Sequence, residues 1–377
     1  MEKIIKNKKK IKIMKNYLID IVGTCNLRCP SCPVGNYQHN QLIMNRKKGF
    51  MSFGLFQKII HKIQADCSQV NENFSISLYN WGEPLIHPNI VEIVEFLHNQ
   101  NIAFSFSTNL NIKDLYKPEN EQKLLRILQT FPTMIRISVS GFEQEIYQRG
   151  HKGGDIELVK KNMEAIANLI NNNATLKDFH KRTHLHVFYL IYTDNCDDNI
   201  AKMYDFCKQL NFDFIPGIAY LMPLEKMIYG VDENKLNEED KQTLQRLYIS
   251  PKEAFMMLKD YSAANNCPLF DDIVINHDGS VALCCSVYDP ALQVVADNYL
   301  NYSLKELQKC KRQKSALCKI CAENNMQLMA LQVPEDIWKL NVLNKQKIIN
   351  TKYLTDIERY QRQTIKNPIR LNPNYKK

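Results

Sequence analysis

The chain has 377 residues, 45% of them hydrophobic and 24% charged, the balance of a globular protein with a sizeable core. Its net charge of +9 comes from 49 basic and 40 acidic side chains and gathers at the two ends, in KNKKKIK and KNPIRLNPNYKK. No aromatic residues interleave with that basic charge as they do in a nucleic-acid groove, and no apolar run reaches the roughly 18–20 residues of a membrane span. Residues 1–16 form a basic leader without the apolar stretch or cleavage site of a secretory signal. Neither nucleic acid nor membrane is therefore expected as a partner, and the expected location is cytoplasmic.

In chain order, NYLIDIVG (16–23) reads as a strand and SFGLFQKIIHKIQADC (52–67) as an amphipathic helix opened by a Ser cap. FSISLYN (74–80) is a strand, and NIVEIVEFLHNQ (89–100) a helix entered after Pro88. Strand IAFSFST (102–108), helix EQKLLRILQT (121–130), strand MIRISVS (134–140) and helix IELVKKNMEAIANLINN (156–172) follow. Strand HLHVFYLIY (184–192), helix NIAKMYDFCKQL (199–210) and strand FDFIPGIAY (212–220) complete six units. Strands alternating with helices of this length imply parallel pairing through right-handed crossovers. The fold expected for residues 17–225 is an α/β, partial (β/α)6 TIM-like barrel. Ligands of such sheets sit at the carboxyl ends of the strands. That places the loops after strands one to four, GTCNLRCPSC, NWGEP, TNLN and SGFEQ, on one side.

Residues 226–264 read as a polar linker, residues 265–325 as a small cysteine-rich module, and residues 326–377 as a C-terminal extension. In the module, the short strands of DIVINHDGSVALCC meet at the turn signal His277-Asp278-Gly279.

The twelve cysteines, in a reducing compartment, point to metal or catalysis before disulfides. Cys67, Cys196 and Cys207 stand among apolar residues and read as core thiols. Cys25, Cys29 and Cys32 form one group. Pro30 and Pro33 make that segment a wrapped loop rather than a helix. Three thiolates there can each take one iron of a [4Fe–4S] cluster and leave the fourth iron without a protein ligand. A zinc site completed by a residue such as His39 is the alternative. In the second group, Cys267, Cys284 or Cys285, and the Cys318/Cys321 pair supply four ligands, enough for a closed site holding zinc or a cluster.

CNLRCPSC resembles the Cys-x3-Cys-x2-Cys signature of the radical S-adenosylmethionine (radical SAM) enzymes. In that superfamily the open iron binds the amino and carboxylate groups of S-adenosylmethionine, and reductive cleavage yields a 5′-deoxyadenosyl radical that abstracts a hydrogen atom. The resemblance extends to WGEP, where Gly82 allows a close backbone approach and Glu83 accepts from the methionine ammonium. It also covers Thr108 and Asn109 at the end of strand three, Ser138 and Ser140 as ribose contacts, and Arg149 as partner of the methionine carboxylate. Two positions depart from the pattern: Ser31 stands where an aromatic residue is common, and Leu110 where glycine is common. The second cysteine segment is similar to the SPASM/twitch auxiliary-cluster module of the same enzymes. Its Gly279-to-Cys284 spacing favours Cys284 over Cys285, and the absence of cysteines after Cys321 favours one auxiliary [4Fe–4S] cluster held by Cys267, Cys284, Cys318 and Cys321.

The resemblance implies an oxidoreductase or epimerase acting on a small polar substrate of the sugar or aminocyclitol type, with an electron donor such as flavodoxin or ferredoxin. Oxidation needs a proton acceptor, for which Asp271, Asp272, His277 and Asp278 are candidates by position. The alternatives are a maturase of a ribosomally made peptide and, more remotely, a non-catalytic zinc-binding interaction protein.

Overall fold

A computed structural model of the chain describes residues 14–30, 32–34, 48–196, 198–258, 267–313 and 316–330. Six strands, β1 (Met14–Ile19), β2 (Asn73–Ser77), β3 (Phe104–Thr108), β4 (Met134–Val139), β5 (His184–Ile191) and β6 (Asp213–Ile218), lie side by side in sequence order. All their pairings are parallel. Between them run helices α1 (Phe53–Gln69), α2 (Ile90–Asn99), α3 (Glu121–Gln129), α4 (Gln144–Gly150), α5 (Ile156–Asn172), α6 (Phe179–Arg182) and α7 (Asp198–Gln209). The partial TIM-like α/β barrel expected from the alternating pattern is the fold observed.

The local reasons are legible. Ser52 accepts the Leu55 N–H and starts α1, which buries Phe56, Ile59, Ile60, Ile63 and Cys67, a stripe at helical spacing. In β4 the buried residues are Ile135, Ile137 and Val139, which join the core beneath the helices. Strand periodicity therefore turns Arg136 and Ser138 to the barrel interior.

Three differences from the sequence reading concern boundaries. β1 already begins at Met14, inside the segment set apart as a leader. The stretch expected as a loop-like linker carries α8 (Leu224–Tyr229), α9 (Glu238–Leu244) and α10 (Pro251–Leu258). Asn237 caps α9, and the α9 and α10 faces bury Thr243, Ala254 and Leu258. The cysteine-rich segment is also continuous with the barrel. β7 (Ile273–Ile275) pairs in parallel with β1 on the side away from β2, and β8 (Val281–Ala282) and β9 (Val294–Ala296) continue the same sheet in antiparallel fashion. Short helices α11 (Pro290–Gln293), α12 (Leu304–Gln313), α13 (Ala316–Glu323) and α14 (Gln327–Ala330) follow. A three-residue strand is marginal alone, so pairing with β1 supplies the register that β7 lacks by itself.

The segment after β8 returns to the opposite edge of the sheet. Leu224, which follows β6, donates its N–H to the Ser286 carbonyl at 2.8 Å, and Glu225 accepts the N–H groups of Tyr288 and Asp289 at 2.9 and 2.8 Å. Residues 1–13 of the leader, Ser31, His39 and residues 331–377 of the C-terminal extension lie outside the described residues.

Candidate functional site

The loop after β1 opens with Asp20, which is buried and accepts the backbone N–H groups of Trp81 (3.3 Å) and Gly82 (3.2 Å). The loop after β2 is thereby fixed against the cysteine loop. Glu83 N–H donates to the Thr24 carbonyl at 3.1 Å, and a Cβ on Gly82 would stand 1.7 Å from the Val22 carbonyl oxygen and 3.0 Å from that of Thr24. Glycine is required here because two backbones touch. The close approach expected of Gly82 is made to the cysteine loop itself.

Glu83 is 2% exposed. Its Oε1 accepts from Thr108 Oγ1 (2.7 Å) and Leu85 N–H (3.0 Å), and its Oε2 from Asn109 N–H (2.7 Å). Burial nevertheless pushes the carboxyl up from 4.5 to about 7, against the pull of those three donors. A buried carboxylate in this state is a ready partner for a cation. Asn109 links it to the first thiol, because its side-chain amide donates to Cys25 Sγ at 3.5 Å and to Asn26 Oδ1 at 2.9 Å.

Cys25, Cys29 and Cys32 are half-buried, and Cys32 N–H turns back to the Cys29 carbonyl at 2.9 Å. Burial first, then Glu83 and Cys32, push the Cys25 thiol up to about 12; burial, Cys32 and Cys25 push Cys29 well up. Each of these thiols thus feels the charge of its neighbours, and as bare thiolates they would repel. Such a set suits a cationic centre that displaces the thiol protons. Among the described residues no three His, Cys, Asp or Glu side chains stand so as to hold a single metal ion.

Beyond Asn109 a polar chain runs to the end of β4. Asn26 donates to the Asn111 carbonyl (2.7 Å), Asn111 to Tyr147 Oη (2.6 Å), and Tyr147 stacks on His151 with ring centroids 4.8 Å apart. His151 Nδ1 lies 2.7 Å from Ser140 Oγ, and burial lowers its pKa to about 4. Ser140 is therefore tied to His151 beneath Gly150, whereas Ser138 faces the barrel interior. Arg149 is exposed and paired with Glu145 (2.6 Å) and Asp194 (3.2 Å). Asp20, Asn26, Asn111 and His151 were not singled out from the sequence; Asp20 carried the only usable signal, an acid directly after a strand.

The second thiol set lies elsewhere on the sheet. Cys267, Cys284, Cys318 and Cys321 line one cavity, walled mainly by apolar side chains including Leu283, Leu317 and Val287. Cys285 is not among the residues that line that cavity; it packs against a small cluster of Leu18, Val274 and Ala282, with its thiol in hydrogen-bond contact with that of Cys284. With its amide oriented to satisfy both neighbours, Asn80 donates to the Cys285 carbonyl (2.9 Å) and accepts from Trp81 Nε1 (3.2 Å). Trp81 meets Tyr288 edge-on at 5.3 Å, in a cluster that also packs Val34, Met222, Cys25 and Cys32.

The four candidate bases have other surroundings. Asp271 and Asp272 precede β7, so they lie at the end of that parallel strand opposite the three-cysteine loop. His277 packs against Gly23 and Gly49, and Asp278 accepts from Ser280 N–H and Oγ within the hairpin turn.

The sequence model of the radical SAM superfamily matches residues 19–204, the stretch that holds the three-cysteine loop, Glu83 and Asn109. The tungsten-containing aldehyde ferredoxin oxidoreductase cofactor-modifying protein of Pyrococcus furiosus is 29% identical over 96 residues, 26% of this chain and 24% of that relative; the match spans about a quarter of the relative's length. Two solved structures are similar in outline. BtrN in complex with AdoMet and 2-DOIA has a TM-score of 0.44 at 11% identity, covering 84% of this chain and 89% of that one. SuiB of Streptococcus suis bound to S-adenosylmethionine has a TM-score of 0.49 at 12% identity, covering 78% and 65%. Among the described residues no helix is long and apolar enough to cross a membrane. The three-cysteine loop, the Gly82-Glu83 turn and strands β2 to β5 all fall inside the matched stretch, so residues 19–204 are a radical SAM superfamily domain, and the reading as a non-catalytic zinc-binding protein is set aside.

Proposed function

We propose that the enzyme oxidises a small polar substrate, of the sugar or aminocyclitol type, held inside the barrel between two iron–sulfur centres. The observation that carries this reading is the Trp81–Tyr288 contact. It brings the segment that follows Cys284 and Cys285 against Cys25 and Cys32, on the side of the sheet where β7 pairs with β1.

Cys25, Cys29 and Cys32 would hold a [4Fe–4S] cluster with one iron left for S-adenosylmethionine. When bound, the pair supplies a 5′-deoxyadenosyl radical able to remove one hydrogen atom. Glu83 receives the methionine ammonium, and an arriving cation draws its pKa back down. Gly82 keeps that carboxylate's loop pressed on the cysteine loop. Thr108 and Asn109 orient Glu83, Ser138 is placed for the ribose, and Arg149 exchanges its ion pairs with Glu145 and Asp194 for the methionine carboxylate.

Turning an alcohol into a carbonyl removes one hydrogen atom, one proton and one electron. Cys267, Cys284, Cys318 and Cys321, which line one cavity, would hold an auxiliary [4Fe–4S] cluster able to accept the electron. Arg136 lines the interior, with Nε 3.3 Å from His186 Nε2 and its guanidinium 5.0 Å from the Phe188 ring centroid. Burial and Arg136 hold His186 well below its usual pKa, so it offers no counter-charge. An electronegative substrate group opposite Arg136 fits that arrangement.

Anaerobic reconstitution with iron and sulfide tests the two-centre reading. About eight irons per chain are expected, and about four after Cys318→Ser with Cys321→Ser. Four irons in both proteins would remove the auxiliary centre. A product two mass units lighter than its substrate marks oxidation. An isobaric product carrying solvent deuterium marks epimerisation, and a modified peptide would replace the small-molecule reading.

A further inference from the structure

Lys311, on α12, is completely buried. Its ammonium donates to the carbonyls of Phe270 (2.5 Å) and Asp272 (2.8 Å) and lies 5.1 Å from the centre of the Phe270 ring. Those acceptors are neutral. An ammonium taken out of water needs an anionic partner, or its desolvation goes uncompensated. Burial accordingly pushes the Lys311 pKa down, and the groups that oppose the shift are, in order, Cys284, Asp272, Cys318 and Asp271.

Two of those four are thiols of the cavity wall, and the carbonyls that Lys311 holds belong to the turn running from Cys267 into β7. Phe270 itself lines the same cavity. One buried cation is therefore placed against the thiol cavity from the α12 side and fastened to the loop that presents its first cysteine. A [4Fe–4S] centre with four thiolates is an anion in both oxidation states, and its potential follows the charge and hydrogen bonding around it.

We propose that Lys311 is the counter-ion of the auxiliary centre and a positioning residue for the Cys267 loop. This rests on the auxiliary-cluster reading above. Reduction adds one electron, from a chemical reductant in the test, to a centre that is already anionic. The fixed ammonium stabilises the reduced form more than the oxidised form and so raises the potential. Without the cluster, the same ammonium keeps only the carboxyl groups of Asp272 and Asp271 and the bare thiols as neighbours of opposite charge.

The test uses the full chain with Cys25, Cys29 and Cys32 changed to Ala, so that only the auxiliary centre binds iron. It compares Lys311 with Lys311→Met. Electron paramagnetic resonance during a mediated redox titration reads the reduced fraction, and thermal melts are recorded with and without the cluster. At fixed poise the Met variant is expected to show at least a tenfold lower reduced-to-oxidised ratio, equivalent to 59 mV for a one-electron couple. Its cluster-free form is expected to melt at the same temperature or higher, because a hydrophobic group replaces a buried ammonium that Asp272 and Asp271 compensate only in part. An unchanged potential, or a variant that melts lower or fails to fold without the cluster, would overturn the counter-ion role. Failure of the Lys311 protein itself to bind about four irons would instead count against the auxiliary centre.

Discussion

The side-chain amide of Asn109 donates to the sulfur of Cys25 at 3.5 Å. Its backbone N–H is held by Glu83 at 2.7 Å, so one residue ties the buried carboxylate to the first thiol. Hydrogen bonds to a ligand sulfur tune a cluster, and removing such outer partners typically costs 10–100-fold. Asn109→Ala is expected to slow reductive cleavage of S-adenosylmethionine by about that factor with iron content unchanged. Single-turnover formation of 5′-deoxyadenosine measures it, and a wild-type rate would show that the contact has no role in the chemistry.

Glu83 gives a pH dependence of stability. Its folded-state pKa is raised from 4.5 to about 7, so the folded chain holds this proton more tightly than the unfolded one. The contribution is fully present below about pH 4.5 and is lost as pH rises through about 7, amounting to roughly 3 kcal/mol. In the cluster-free protein the stability difference between wild type and Glu83→Gln is expected to shift in favour of the variant between pH 5 and 8. Urea unfolding across that range checks it. A difference that does not change with pH would mean Glu83 keeps an ordinary carboxyl pKa.

Gly82→Ala places a methyl group 1.7 Å from the Val22 carbonyl oxygen. Neither backbone can yield without moving the Cys25 loop, so a loss of about 3 kcal/mol is expected. Iron retention should fall by about four per chain, with the auxiliary share kept. Retention of all iron would show that the contact is not structural.

Leu110 has φ +53°, a left-handed conformation that costs a residue with a side chain about 1–2 kcal/mol. It is also 1% exposed, and burying leucine returns about 1.5–3 kcal/mol. Leu110→Gly thus relieves strain but empties a packed site, and a net loss of about 1 kcal/mol is expected from these two terms. Chemical denaturation measures it. Stabilisation by the glycine would mean that the left-handed strain outweighs the packing.

Much of this was readable in advance, because the signals were local. The alternation of β4, the Ser52 cap and the Cys-x3-Cys-x2-Cys spacing each depend on neighbours a few residues away. The departure at Leu110 was visible as a missing glycine, and the structure shows this leucine in a left-handed conformation. What the sequence did not show depends on distant pairs. The parallel pairing of β7 with β1 joins residues some 250 positions apart, so the cysteine-rich segment read as separate. Ser140 looked equivalent to Ser138 until His151 was seen to hold its hydroxyl. Lys311 carries no local mark at all. Its burial arises from packing around residues 270–272 and the thiol cavity.

The most direct measurement is 5′-deoxyadenosine formation by the anaerobically reconstituted chain given dithionite and S-adenosylmethionine. The wild-type protein should form it, and the protein with Cys25, Cys29 and Cys32 all changed to Ala should not, while keeping about four irons at the second site. Cleavage that persists in the triple variant would contradict the assignment of the open iron to that loop.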